Sequence, residues 1–116
     1  MPNVCLVEDE EAIRDYLVQV LQRAGYGVSA YADAVSALPL IVEQPPDLLL
    51  TDLNLPGGMD GLALSEALHR SHPGLPVVIM SGASGGEVAF DRTQFLLEKP
   101  FRSRQLLDLL ADLLKT

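Results

Sequence analysis

Five short apolar runs alternate with stretches of helical spacing along this 116-residue chain, and that alternation narrows the architectures open to it. Val4 to Val7 reads as a buried strand, after which Ile13, Leu17, Val20, Leu21 and Ala24 recur at the helical period until Gly25 and Gly27 stop it. Val28 to Tyr31 forms a second strand. Asp33 is placed to cap a helix through Val42 that has Pro39 inside it. An interior proline costs about 3 kcal/mol, so this helix should bend or start late. Pro45-Pro46 ends it and launches a third strand, Leu48 to Asp52. Gly61 opens a helix carrying Leu62, Leu64, Ala67 and Leu68, closed by His72-Pro73-Gly74. Pro76 to Met80 and Phe95 to Glu98 are the remaining strands, and a helix capped by Ser103 runs to Leu114. Strands alternating with helices imply a parallel sheet covered on both faces, an α/β fold.

The length and the 48% hydrophobic content fit one domain spanning residues 1–116, with no linker-like break. A net charge of −8 and the lack of a basic cluster argue against direct contact with nucleic acid, because neutralising phosphates needs clustered Lys and Arg. The apolar runs are too short to span a membrane, and no basic segment precedes an apolar core at the N-terminus, so the expected location is cytoplasmic. Cys5, the only cysteine, lies within a strand and reads as a packed core thiol.

The chemistry collects at strand ends. Glu8 and Asp9 follow the first strand, Asp52 closes the third, Ser81 follows the fourth, and Lys99 follows the fifth. Open α/β sheets bind their ligands at this edge. Three neighbouring carboxylates repel by roughly 1 kcal/mol per pair in water and about 4 kcal/mol at an effective dielectric of about 20, a cost that a cation offsets. Oxygen-only ligands favour Mg²⁺ or another hard divalent cation. Asp52 then has the chemistry of a carboxylate nucleophile toward a phosphoryl group, with Lys99 neutralising charge and Ser81 donating a hydrogen bond. Singly, Asp9 and Glu10 could be helix-capping acids, Asp52 a turn acid and Ser81-Gly82 a strand-ending turn. Chance does not readily place all of them after separate apolar runs in this order.

The segments VCLVEDE, TDLNLPGGMDG, VVIMSGAS and LLEKPF resemble, in order and over nearly the whole length, the receiver domain of two-component response regulators. The resemblance implies a doubly wound five-stranded sheet of order 2-1-3-4-5. It implies that Asp52 accepts a phosphoryl group from a sensor histidine kinase, a histidine phosphotransfer protein or a small phosphodonor. Such a domain catalyses only its own phosphorylation and dephosphorylation. Asp9 and Asp52 would bind Mg²⁺ directly, Glu8 would help through water, and the Asn54 carbonyl would complete the protein ligands. Ser81 would turn toward the phosphoryl group, Gly82 would leave room for it, Lys99 would pair with it, and a cis bond would precede Pro100.

The sequence departs from that family in three places. The loop from Asp52 to Gly61 is one residue longer than its commoner form, taken up by Gly57-Gly58. The stretch from Ser81 to Lys99 is about four residues short and rich in glycine, so the fourth of the family's helices should be short or distorted. Leu96 occupies the place of an aromatic that, with Ser81, forms the family's switch, and Phe95 should point to the opposite face of its strand. In the last helix Leu106, Leu110 and Leu113 suffice for a core stripe. Leu107, Leu109 and Leu114 are surplus: the plain reading is a wide core contact, and the sharper one is a face, formed with the fifth strand, that docks a partner or a second copy in a homodimer. His69 and His72 read as surface residues. Two other classes compete: a receiver-like interaction domain that is never phosphorylated, and a haloacid dehalogenase-type phosphatase. The latter needs an acid two residues after the nucleophile, where this chain has Asn54.

Overall fold

The structure, a computed structural model, describes residues 2–82 and 93–115. The strands are β1 (Asn3–Val7), β2 (Gly27–Tyr31), β3 (Leu48–Asp52), β4 (Val77–Ser81) and β5 (Gln94–Glu98). The helices are α1 (Glu11–Arg23), α2 (Ala34–Glu43), α3 (Gly61–Ser71) and α4 (Ser103–Leu114). All strand pairs are parallel and the sheet order is β2-β1-β3-β4-β5, as expected. The expected distortion of a helix between β4 and β5 falls on residues 83–92, outside the described residues.

The strands are apolar without a break because both faces of the sheet are covered. Val4, Leu6, Leu48, Leu50, Val78 and Met80 pack with Leu17, Leu21, Leu106 and Leu110 beneath α1 and α4. Their neighbours Cys5, Val7, Leu49, Val77 and Ile79 pack on the other face with Ala37, Ile41, Leu64 and Leu68 of α2 and α3. Burial pushes the Cys5 thiol up to about 12, which suits a packed rather than a reactive sulfur.

Helix ends follow local chemistry with two corrections. Asp33 accepts from the Ser36 N–H at 2.7 Å, and Asp60 accepts from the Ala63 N–H at 2.8 Å, so both act as caps. Contrary to expectation, α2 does not start late: it begins at Ala34 and runs through Pro39. The carbonyl that loses its partner to this proline belongs to Val35, a residue that is 53% exposed. Ser103 is the first residue of α4 and not its cap. Arg102 holds the cap position, and the Gln105 side chain reaches back to accept from the Arg102 N–H at 2.8 Å.

The apolar surplus of α4 is taken up by the core. Leu107, Leu109, Leu113 and Leu114 are all partly buried against the layer that holds Leu106 and Leu110, so a wide core contact accounts for them. The exposed large apolar side chains among the described residues are Ile13 and Tyr16 on α1 and Val35, Leu40 and Val42 on α2. Phe95 packs into the α1 and α4 layer. By strand alternation Leu96, paired in register with Ile79, points to the opposite face. His69 departs from a surface reading: it is half-buried, with Nε2 3.1 Å from the Leu75 carbonyl and 2.7 Å from the Thr93 hydroxyl.

Candidate functional site

Backbone hydrogen bonds carry the pairing beyond the strands and fix the sheet's carboxyl edge. Glu8 N donates to Tyr31 O at 3.0 Å, Leu53 N to Met80 O at 2.9 Å, and Lys99 N to Ser81 O at 2.7 Å. The last two bonds tie the ends of β3, β4 and β5 to one another; the first ties the end of β1 to β2, while β1 and β3 stay in register as far as Val7 and Thr51. On this edge, ligand oxygens of Glu8, Asp9 and Asp52 lie within 4.8 Å of one another.

The three acids sit in different environments. Glu8 is almost wholly buried, Asp52 is buried at 7% exposure, and Asp9 is exposed. Glu8 Oε2 accepts from the Glu10 N–H at 3.1 Å, whereas Oε1 is buried without a hydrogen-bond partner. Loss of hydration pushes the Glu8 carboxyl from the ordinary 4.5 up to about 7. The Glu10 N–H opposes that rise, the negative charge of Asp52 and the contact with Asp9 add to it, and Lys99 again opposes it.

Lys99 Nζ donates to Asp52 Oδ2 at 2.8 Å and lies 3.9 Å from Glu8 Oε1. Partial burial alone would lower its pKa. The hydrogen bond and charge of Asp52, with Glu8 and Glu10, outweigh burial and raise it, so the ammonium stays protonated. The other Asp52 oxygen accepts from the Asn54 N–H at 3.2 Å, which draws the following loop around the carboxylate. Ser81 ends β4 one residue past Met80, the register partner of Asp52, and its hydroxyl donates to the Gly82 carbonyl at 3.3 Å. A side chain at Gly82 would meet nothing within 4 Å among the described residues. The Lys99-Pro100 bond is cis.

Two contributors to the site do not stand out in the sequence pattern. Arg14 reaches back from α1 to donate to the Glu8 carbonyl at 2.9 Å and the Asp9 carbonyl at 3.4 Å, pinning the acidic turn to the helix. A cation one turn into the helix that follows an acidic strand end is the signal that points to it. The second is Gly61. A Cβ there would collide with the backbone of Asp52 and Leu53, so α3 approaches the acceptor strand only because this residue has no side chain. Gly61→Ala should therefore destabilise the fold by about 2 to 3 kcal/mol, read as a lower urea midpoint, since backbone atoms cannot yield as a flexible side chain would.

A divalent cation fits this donor set. At about 4.8 Å and an effective dielectric of about 20, two carboxylates repel by roughly 3.5 kcal/mol, and one buried Glu8 oxygen has no hydrogen-bond partner. Beside Lys99 an apolar groove of about 280 Å³ opens between Ile13 and Tyr16 of α1 and Pro100 and Phe101. No helix among the described residues is long and apolar enough to cross a membrane.

The response regulator receiver domain family matches residues 4–111. Similar proteins include the response regulator receiver protein CpdR of Brucella abortus, 32% identical over an alignment of 118 positions that covers 98% of this chain and 98% of CpdR. The response regulator protein FleR of Pseudomonas aeruginosa is 36% identical over 94% of this chain. This chain spans only 24% of FleR. Among solved structures, the receiver domain of NtrX from Brucella abortus superposes with a TM-score of 0.84 at 34% identity, covering 97% of this chain and 98% of that one.

Proposed function

Because the chain belongs to the receiver domain family of two-component response regulators, we propose that Asp52 is its phosphoacceptor and that phosphorylation there switches the signalling surface. The observation that carries this reading is the ion pair of 2.8 Å between Lys99 and Asp52 beside the Glu8 and Asp9 carboxylates. A carboxylate held at a strand end presents an oxygen to phosphorus while the phosphorus–nitrogen bond of a phosphohistidine breaks, and the imidazole leaves with the bonding pair. Lys99 Nζ stands where charge gathers on the phosphoryl oxygens, and the Ser81 hydroxyl has only to release the Gly82 carbonyl to donate to them. Glu8, Asp9 and Asp52, with the Asn54 carbonyl, would hold Mg²⁺ or another hard divalent cation, which supplies neutralisation of the transferred group's charge.

Donor and output follow from the same proposal. The groove of about 280 Å³ beside Lys99, rimmed by exposed Ile13 and Tyr16, gives a sensor histidine kinase or histidine phosphotransfer protein an apolar rest next to the acceptor. The location is cytoplasmic, where such donors work. Asn54 offers no acid to protonate a leaving group, which weighs against the phosphatase reading.

The test is labelling with a small phosphodonor such as acetyl phosphate. Incorporation should require Mg²⁺, and the bond should survive acid but yield to base and hydroxylamine. Failure of any donor to label the folded protein would leave the unphosphorylated interaction domain as the better reading.

A further inference from the structure

From Ala24 to Val42 a chain of net charge −8 carries a single charged residue, Asp33, whose carboxylate is engaged in capping α2. That segment builds one continuous surface: the edge strand β2 and the helix α2 beside it. Edge strands are normally guarded by lysine, proline, a bulge or a covering element, because their free backbone groups invite another strand. β2 reads Gly-Val-Ser-Ala-Tyr, with no charge and no proline, and Ser29 and Ala30 are exposed. Next to it a cleft of about 400 Å³ runs between Ser29 and Tyr31 of β2 and Leu40 of α2, which is 49% exposed.

We propose that this edge is a homotypic interface, in which β2 of a second copy pairs antiparallel with β2 and joins the two sheets. Charge selects the occupant. Two copies of so acidic a chain repel wherever their carboxylates approach, and α1, α3 and α4 all carry acids, whereas β2 itself is uncharged and the only acids flanking it on the α2 side are Asp33, which caps α2, and Glu43 at that helix's C-terminal end. The strand is entered from Arg23 and left toward Asp33, so antiparallel pairing sets the basic end of each copy beside the acidic end of the other.

The backbone fits the same two-fold arrangement. Gly27 N donates inward to Pro2 O and Tyr31 O accepts inward from Glu8 N, so by alternation the N–H and C=O groups of Val28 and Ala30 face outward. An axis through Ser29, the middle residue, lets Val28 and Ala30 of one copy exchange both hydrogen bonds with Ala30 and Val28 of the other. Ser29 then faces its own copy across a close, non-hydrogen-bonded pair, and Leu40 of each α2 flanks the seam on the same side of the sheet.

Sedimentation equilibrium on the chain, with Ala30→Lys, Leu40→Glu and Arg104→Glu variants, tests this. The wild type should dimerise. Ala30→Lys and Leu40→Glu should each raise the dimer dissociation constant at least about tenfold, the effect of losing about 1.4 kcal/mol. Arg104→Glu, on the distant and exposed face of α4, should leave it unchanged. Circular dichroism melts establish that the variants fold. Independently, Ser29→Cys should form a disulfide-linked dimer under mild oxidation, whereas an Arg104→Cys control should not. A monomer up to millimolar concentration, a dimer indifferent to Ala30→Lys, or no preferential cross-link through position 29 would each overturn the proposal.

Discussion

Replacing Asp52 with asparagine should reduce labelling by acetyl phosphate to background while leaving the far-ultraviolet circular dichroism unchanged. The side chain sits at the end of a fully buried strand, its volume is conserved, and the amide can still accept from the Asn54 N–H. What is lost is the nucleophilic oxygen. Lys99→Ala should slow labelling by roughly 10²-fold, the usual cost of removing one donor from developing charge. Lys99 is a third exposed, so its removal leaves no core cavity. Persistent label on the asparagine variant, located by peptide mapping, would place the acceptor elsewhere.

The second large effect concerns Glu8. Its folded carboxyl titrates near 7 and not 4.5, so the folded protein holds a proton that the unfolded chain has released. The stabilisation linked to that proton is complete below about pH 4.5 and is lost as pH rises through about 7. Without divalent cations the protein should be less stable at pH 8 than at pH 5.5, and Glu8→Gln should remove most of that slope. The expected gain for Glu8→Gln at pH 8 is about 2 kcal/mol, or roughly 8 °C in melting temperature. Mg²⁺ should reverse the ranking, because an ion bound only to the native state stabilises it and the variant offers one carboxylate fewer. Equal Mg²⁺-induced shifts for wild type and variant would show that Glu8 takes no part in holding the ion. Asp52→Asn is a poorer probe of the repulsion, since Lys99 already neutralises that carboxylate at 2.8 Å.

Both effects concern residues whose location is legible in the amino-acid sequence. Runs such as Leu48 to Leu50 are buried on both faces, so they mark parallel strands, and a parallel sheet collects its strand ends on one edge. The placement of Glu8, Asp9, Asp52, Ser81 and Lys99 on that edge needs only those two rules. What the sequence does not supply is environment. Glu8 and Asp9 are adjacent in the chain, yet one is buried with an orphan oxygen and the other is exposed. Pairing across the sheet decides that difference. Local preferences also lose where tertiary contacts are stronger: α2 carries Pro39 because Ala34, Ala37 and Ile41 are buried on its inner face. Arg102 stands at the α4 cap because Gln105 supplies the acceptor. The leucines of α4 look superfluous only because helical spacing does not reveal how wide a groove the sheet and α1 present.

The Gly57-Gly58 pair in the loop after β3 acquires its meaning from one backbone bond. Gly61 N donates to Leu53 O at 2.8 Å, so the chain leaves the acceptor strand and returns to it at fixed points. Gly57 and Gly58, with φ of 87° and 88°, lie outside that tie, where Gly57 faces Val35 of α2. Residues can be added or removed there without moving either anchor, and the entropic cost of a longer excursion grows only slowly with length. The stretch is a cul-de-sac off the main road. Insertions within it remodel the rim that meets α2, while Asp52 keeps its address.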